Sequence, residues 1–495
     1  MSADGSRHSL FRRLLGQGGL YALSNLGVKA AGLLLLGFYL DPDLLTAAEY
    51  GHLVLLETTA QVLVIVAGLG IGSGLLKLAT DPDHANRRDA LLTTALAASA
   101  LCGGVALLAV GAASRPLAAF LLDDPEATRA VWLMGTYAGL KVVAAVPYIV
   151  LRVRERAGLF ALAALTEIGL LLGGVAYFLA AEGAGLVGVM QGFVLAAAGA
   201  VVLLGGGLLR SLHWDLDLRL VRPLLKLGVP LAFAAIASIA LNAGDRYMLK
   251  AFADAEAVAV YGLAAKFGGV VNMLFVQSFN LAFSVLGLKA IAAEGRGAPL
   301  PFHRRIARLY TVVTGWGVLG LALLTLDVTA WLSPNPLYLQ ADPLVLPIAL
   351  GFLVYGLYFV GMNVLYAHHA TGTIAGVVAG SAVLNLLLNA VAIPALGGMG
   401  AALTSLAAYA VLAAVTLLRA AQVGGLRVSL RALSTVVAVV VALWMVAQPT
   451  TAWETWPRLG VRIALLASYP LVVLALGVYS RAELRALTSR LRRRG

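Results

Sequence analysis

The sequence predicts an all-helical, polytopic membrane protein of about fourteen transmembrane helices. It reads as two parallel-related six-helix halves around a central cavity, followed by two additional C-terminal helices. Three observations predict this. Apolar residues make up 61% of the 495 and charged residues 12%, against about 45–50% and about 25% in soluble domains. The apolar residues form continuous runs near the ~20 residues that a helix needs to cross the hydrocarbon core. The basic residues cluster in every second connection, as the positive-inside rule requires.

Taken in order, the first run (16–40) follows Arg7, Arg12 and Arg13 and contains Asn25 and Lys29. It lacks a small-x-small cleavage site, so it reads as an uncleaved first span. Further runs cover 49–76, 89–113, 128–151, 157–181, 184–209, 224–249, 256–288, 306–332, 341–367, 371–393, 398–419, 431–448 and 460–480. Continuous apolar runs favour helices over a barrel of short alternating strands, because each helix satisfies its own backbone hydrogen bonds within the membrane.

The connections alternate in sign. Lys and Arg gather before the first span, at Lys77/Arg87/Arg88, at Arg152/Arg154/Arg156, at Arg210 to Lys226, at Lys289 to Arg308, at Arg419 to Arg431 and after Arg481. The other connections, such as DPDLLTAAE, AEGAG and SPNPLYLQADP, hold few cations. This parity predicts both termini in the cytoplasm of a multi-pass inner-membrane protein. It also places most of the +12 net charge in short membrane-flanking clusters. A basic face on a soluble module is therefore missing, and no nucleic-acid partner is expected.

The halves repeat weakly. Leu14-Leu15 and Gly18 match Leu224-Leu225 and Gly228, and Tyr50-Gly51 matches Tyr261-Gly262. Six spans per half make the repeats parallel, related by an axis along the membrane normal. The expected divisions are 1–222, 223–425 and a third segment, 426–495, with two further spans and a basic tail. That tail, RAELRALTSRLRRRG, suits anionic membrane lipids, at about 1 kcal/mol per basic residue near the surface.

Seven ionisable residues inside the runs are singled out: Lys29, Glu57, Lys141, Glu167, Asp245, Arg246 and Lys266. At about 2.5–3.5 kcal/mol each on insertion scales, their gross cost is on the order of 20 kcal/mol. They must pair or face water. Regular helical spacing puts Tyr21, Asn25 and Lys29 on one face, Glu57 with Gln61 on another, and Ser238, Asn242 and Asp245/Arg246 on a third. Lys266, Gln277, Asn280 and Ser284 share a fourth. The set carries four cations against three anions, which suits an anionic headgroup. Arg246 can bind phosphate bidentately, Lys29, Lys141 and Lys266 act as point charges, and Glu57 and Asp245 are candidates for a coupling proton or cation. The plain alternative is structural ion pairing, Glu57 with Lys29 and Asp245 or Arg246 with Lys266.

Other features read as structure. Asn385 and Asn389, four apart, are expected to be interhelical hydrogen-bonding glue, with sugar contact as the second reading. The run Gly68-Leu69-Gly70-Ile71-Gly72-Ser73-Gly74 imitates a nucleotide loop but lies inside a span, where close packing or bending is expected. His52 reads as an interface histidine. His368-His369 sits in a tight turn without metal-ligand partners. Cys102, the single cysteine, allows neither an intramolecular disulfide nor a thiolate metal site. No cofactor or metal is expected. Catalysis is not expected either: the longest outer connection, Ser114 to Arg129, offers Asp123 and Asp124 beside Pro125 without a histidine, and these acids read as the start of the next helix.

Two stretches carry a resemblance to a known family. Asp245-Arg246-Tyr247-Met248-Leu249 ends the seventh span and Tyr261-Gly262-Leu263-Ala264-Ala265-Lys266 opens the eighth, with an early Tyr50-Gly51 and a Gly68-Leu69-Gly70 run. Together with the span count, these resemble the polysaccharide flippases of the multidrug/oligosaccharidyl-lipid/polysaccharide exporter superfamily over about residues 12–420. The resemblance implies a flippase that carries an undecaprenyl-pyrophosphate-linked oligosaccharide to the outer leaflet by alternating access. It also implies polysaccharide polymerase and chain-length machinery as partners. The headgroup would meet Lys29, Lys141, Arg246, Lys266, Asn25, Asn242, Gln277 and Asn280. Multidrug antiporters of the same superfamily usually carry a first-span carboxylate, where this chain has Asn25 and Lys29. Lipid II flippases share the span count and have an arginine-rich cavity signature that is not evident here.

Overall fold

A computed structural model describes residues 27, 32–211, 215–294 and 300–478. These residues form helices and connections, with no strand among them. Among the described residues, twelve helices are long and apolar enough to cross a membrane. One of them, α13 (Thr371–Gly424), holds two of the expected crossings, because Pro394 removes a backbone donor and Gly397, at φ 56° and ψ −134°, breaks the helical path. The second to fourteenth expected spans are thus all present as helix. Of the first, the structure describes the last turn, Leu36–Tyr39; Tyr21, Asn25, Lys29 and the basic tail lie outside the described residues.

The first compact unit comprises Met1–Ala259 with Leu332–Asn335. Its second span starts at α1 (Ala47–Gly68), where Thr46 and Glu49 form a reciprocal capping box that satisfies two of the orphan donors of the first turn. Leu69 (φ 45°) and Gly70 (φ 65°) are both left-handed, so the expected run 49–76 is broken, and α2 (Ile71–Thr80) sets off in a new direction. The glycine run is therefore a bend. Then follow α3 (Arg88–Ala112), α4 (Ser114–Leu122), α5 (Thr128–Val153), α6 (Ala157–Val175, running into a π-turn at Ala176–Ala181), α7 (Gly185–Ser211) and α8 (Val221–Phe252). The seventh span, α8, belongs to this unit. One core of the unit is built by Ile71, Leu75, Leu91, Val146, Val150 and Leu224.

One expectation needs correction here. Asp123 does not start a helix: it follows the end of α4 in a left-handed conformation (φ 54°), and α5 begins only at Thr128. The connection is apolar enough to form its own short helix, which sequence reading treated as loop.

The second unit comprises Val260–Trp331 and Pro336–Gly495. Its first span is interrupted: α9 (Ala255–Val271, whose first turn belongs to the other unit) passes through a π-turn at Asn272–Gln277 into α10 (Ser278–Glu294). A π-turn inserts extra backbone into the helix. Regular spacing therefore does not carry from Lys266 across to Gln277, Asn280 and Ser284, and the single stripe expected there is corrected to two separate registers. After α11 (Pro301–Leu332), α12 (Asp342–Ala367) and α13 come α14 (Leu430–Ala447) and α15 (Thr455–Ala475).

The last two helices pack against α11 and α12 through Val318, Leu323, Leu353, Val436, Val440 and Tyr469. A buried clamp reinforces the packing. Asp327 accepts from Arg458 Nε at 2.8 Å and from Arg462 Nη1 at 3.1 Å, and Arg462 also donates to the Leu323 carbonyl at 2.8 Å. One carboxylate shared by two guanidinium groups ties the three side chains together and leaves the trio with one excess positive charge.

Candidate functional site

The polar residues of the first unit are set by the seam between its second and seventh spans. α1 and α2 run antiparallel to α8, and glycines let the backbones approach: a Cβ at Gly70 would collide with the Gly228 carbonyl, and one at Gly74 with the Leu224 carbonyl. At the other end, a Cβ on Gly51 would strike the Ala255 carbonyl. Between these contacts the seam turns polar. Arg246 Nη1 donates to Thr58 Oγ1 at 2.9 Å, and Thr59 Oγ1 and the Tyr247 hydroxyl lie 2.8 Å apart. The buried Arg246 Nε has no hydrogen-bond partner among the described residues. The Arg246 guanidinium is therefore held by a neutral hydroxyl and keeps capacity to bind an anion. One turn before it, Asn242 Nδ2 donates to the Ser238 carbonyl at 2.6 Å, and Asp245 is buried.

A second cluster lies between α1, α5 and α6. Lys141 Nζ is 2.6 Å from Glu167 Oε1, and the Tyr148 hydroxyl donates to Glu167 Oε2 at 2.9 Å. Tyr137 lies within electrostatic range of Lys141, Glu167 and Glu57, and Tyr39 within range of Glu57. Lys141 and Glu167 compensate each other. Removing this pair from the seven charges leaves Lys29, Arg246 and Lys266 against Glu57 and Asp245, so the set still carries one excess cation. Thr58, Tyr137 and Tyr148 were not singled out by sequence. The signal was there: Tyr137, Lys141 and Tyr148 recur at helical spacing (i, i+4, i+11) on a span whose lysine already demanded a partner.

At the other end of the same seam, Lys250 forms an ion pair with Asp123, whose carboxylate lies 3.7 Å from His52 Nε2. The hydrogen bond from the Lys250 ammonium holds the Asp123 carboxyl below its ordinary pKa. In the second unit Lys266 is half-buried on α9, Gln277 is exposed at the end of the π-turn, and Asn280 is half-buried on α10. Asn385 and Asn389 are fully buried and bond to one another at 3.1 Å, while Thr404 donates to Asn389 Oδ1 and Asn385 reaches Ser405 at 3.5 Å. They tie the two arms of α13 together, as the interhelical-glue reading requires.

The fold defines a polytopic helical membrane protein of the architecture seen in the multidrug/oligosaccharidyl-lipid/polysaccharide exporter superfamily. It is similar to the inward closed conformation of the lipid II flippase MurJ, with a TM-score of 0.71 at 13% identity, covering 93% of this chain and 100% of that one. It is also similar to the inward-facing conformation of a multidrug resistance MATE family transporter (TM-score 0.62, 16% identity, 81% of this chain and 93% of that one). A third similar structure is a transporter of the same superfamily from Pyrococcus furiosus, described as having a binding pocket of reverse polarity. Its TM-score is 0.52 at 15% identity, over 83% of this chain and 93% of that one. Comparison with curated protein sequences yields no match. The model of the polysaccharide biosynthesis protein family matches residues 17–283, more than half of the chain. The chain belongs to that family.

Proposed function

We propose that this protein is a transporter of the inner membrane, with both termini cytoplasmic. Its substrate is an undecaprenyl-pyrophosphate-linked oligosaccharide, which it moves from the cytoplasmic to the outer leaflet by alternating access for cell-surface polysaccharide biosynthesis. The observation that carries this reading is Arg246, a guanidinium near the end of an apolar span that donates a hydrogen bond to the neutral Thr58 hydroxyl. An ionised group there is costly unless it serves a charged cargo. Membership of the polysaccharide biosynthesis protein family supports an oligosaccharide cargo. In this reading the pyrophosphate is contacted by Arg246, Lys29, Lys141 and Lys266, with Asn25, Asn242, Gln277 and Asn280 as hydrogen-bonding groups. Glu57 and Asp245 carry the coupling proton or cation, and Lys141 must leave Glu167 to take part.

Two further readings have support. The similarity to MurJ favours lipid II as cargo, and the similarity to MATE transporters favours drug efflux coupled to a cation. Depletion of the protein followed by leaflet-resolved analysis of lipid-linked intermediates separates all three. A complete oligosaccharide accumulating on the cytoplasmic side supports the proposal, lipid II accumulating there replaces it, and retention of unmodified drugs points to the antiporter. Purified protein in a cell-free glycan polymerisation assay is expected to leave its substrate chemically unaltered; chain extension would make it a polymerase.

A further inference from the structure

The second unit carries a groove that the transport reading does not use. Phe279, Phe283 and Leu286 on α10 face Phe302, Leu309 and Val313 on α11 across an open, almost wholly apolar space of about 300 Å³. Its wall is a ladder of rings: Phe279 stacks on Phe283 (centroids 5.0 Å apart, planes at 12°), Phe283 stacks on Phe302 (6.3 Å, 9°), and Phe279 meets Tyr310 at 4.5 Å. Side chains stacked in this way hold a fixed shape, so the groove is preformed. At its far end it reaches Leu274 and Phe275, inside the π-turn.

The near end changes character. Helical spacing continues the α10 stripe from Leu286 to Lys289, three residues on, and sets Arg305 beside the α11 stripe, three residues after Phe302 and four before Leu309. Both cations are exposed. The groove therefore offers an apolar slot at hydrocarbon depth that opens onto two positive charges at the membrane surface. That is the pattern of an amphiphile with one chain and an anionic head. The volume is about ten times the roughly 30 Å³ of a liquid water. It accommodates most of one acyl chain, whereas a polyprenyl tail is several times longer.

We propose that this groove is a binding site for an anionic phospholipid of the cytoplasmic leaflet. One acyl chain lies along the phenylalanine ladder and the phosphate sits at the Lys289 and Arg305 end. The leaflet follows from the orientation proposed above; the site itself depends only on contacts within the second unit. A lipid seated here fills the space beside the irregular part of the eighth span and braces it against the ninth.

The full-length protein in liposomes, exposed in turn to diazirine-bearing phosphatidylglycerol and diazirine-bearing phosphatidylcholine, tests this by peptide mapping of the photo-adducts. Adducts from the anionic probe are expected to concentrate on 279–286 and 302–313, about tenfold above the zwitterionic probe, the selectivity that two surface cations can supply. Lys289→Gln with Arg305→Gln should erase that preference while leaving the chain's thermal stability unchanged. Ala282→Phe, which fills the groove from its open side, should reduce labelling by both probes. Even labelling of all lipid-facing helices, or an unchanged preference in the double glutamine variant, overturns the proposal. Displacement of the anionic probe by equimolar undecaprenyl phosphate also overturns it, because the groove then belongs to the carrier lipid. All three of these outcomes are independent of whether the protein flips its substrate.

Discussion

Arg246 on the seventh span and Thr58 on the second are joined by a 2.9 Å hydrogen bond, and the residues next to each, Tyr247 and Thr59, meet at 2.8 Å. Two consecutive polar contacts thus cross a helix seam that also brings glycines against backbone at Gly51, Gly70 and Gly74. The pairing fixes where the guanidinium points. Thr58→Val keeps the shape and removes the acceptor, so it is expected to destabilise the protein by about 1–3 kcal/mol, the range for a buried donor left unmade. Arg246→Gln should insert normally yet lose transport. The checks are detergent melting curves and a leaflet-resolved flipping assay; full flipping by the glutamine variant would remove Arg246 from the substrate path.

The bend between α1 and α2 makes a sharper structural prediction. Gly70 combines a φ of 65° with direct backbone approach to Gly228, whereas a Cβ at Gly68, two residues earlier, meets nothing within 4 Å. Gly70→Ala should cost about 2–4 kcal/mol, from left-handed strain and steric overlap together. Gly68→Ala should be neutral or slightly stabilising. Equal melting temperatures for the two variants would contradict the seam as described.

Lys141 and Glu167 form a pair in which removal of one partner strands the other. With the lysine side chain 27% exposed and the glutamate 11%, the expected loss is about 1–3 kcal/mol for Lys141→Met or Glu167→Gln alone, below the value for a fully buried pair. The double variant should recover much of it. A double-mutant cycle measures this directly, and simple additivity would mean the two side chains do not interact in the membrane. Glu167→Gln also frees the Lys141 ammonium, so it should bind pyrophosphate-bearing headgroups more tightly than wild type if Lys141 contacts the cargo.

Asp123 and Lys250 give a pH prediction outside the membrane. The folded-state pKa of Asp123 lies below its ordinary value, so its contribution to stability is present above the unfolded pKa of about 3.9 and is lost as pH falls through the lower folded value. The stability difference between wild type and Lys250→Ala should be constant above about pH 8, where His52 is neutral, and shrink on acidification as His52 and then Asp123 take up protons. Its size should be modest because the carboxylate is largely exposed. A difference that grows on acidification would reverse the assignment.

The second to fourteenth spans, their boundaries to within a few residues, and the helical fold class were legible in the chain. A bilayer penalises each exposed polar group where it stands, so hydropathy and charge parity act locally and can be read residue by residue. The bend in the second span was legible too, since Gly68 to Gly74 inside an apolar run has few other uses. The cationic candidates were visible as anomalies against that background: an arginine or lysine in a hydrocarbon-length run is conspicuous whatever it touches.

Partners were a different matter. That Arg246 rests on Thr58, that Glu167 takes Lys141 and Tyr148, that Asp327 holds both Arg458 and Arg462, and that Asp123 pairs with Lys250 in the last turn of the seventh span could not be read from spacing. These contacts join residues from about 20 to almost 190 positions apart, and neither composition nor periodicity records which helix faces meet. The π-turn at Asn272–Gln277 likewise resets the register of the eighth span, something a regular 3.6-residue count cannot anticipate. The sequence alone determined where the chain crosses the membrane and which residues are out of place there; packing in three dimensions decided which of those charges are neutralised and which remain held by neutral groups.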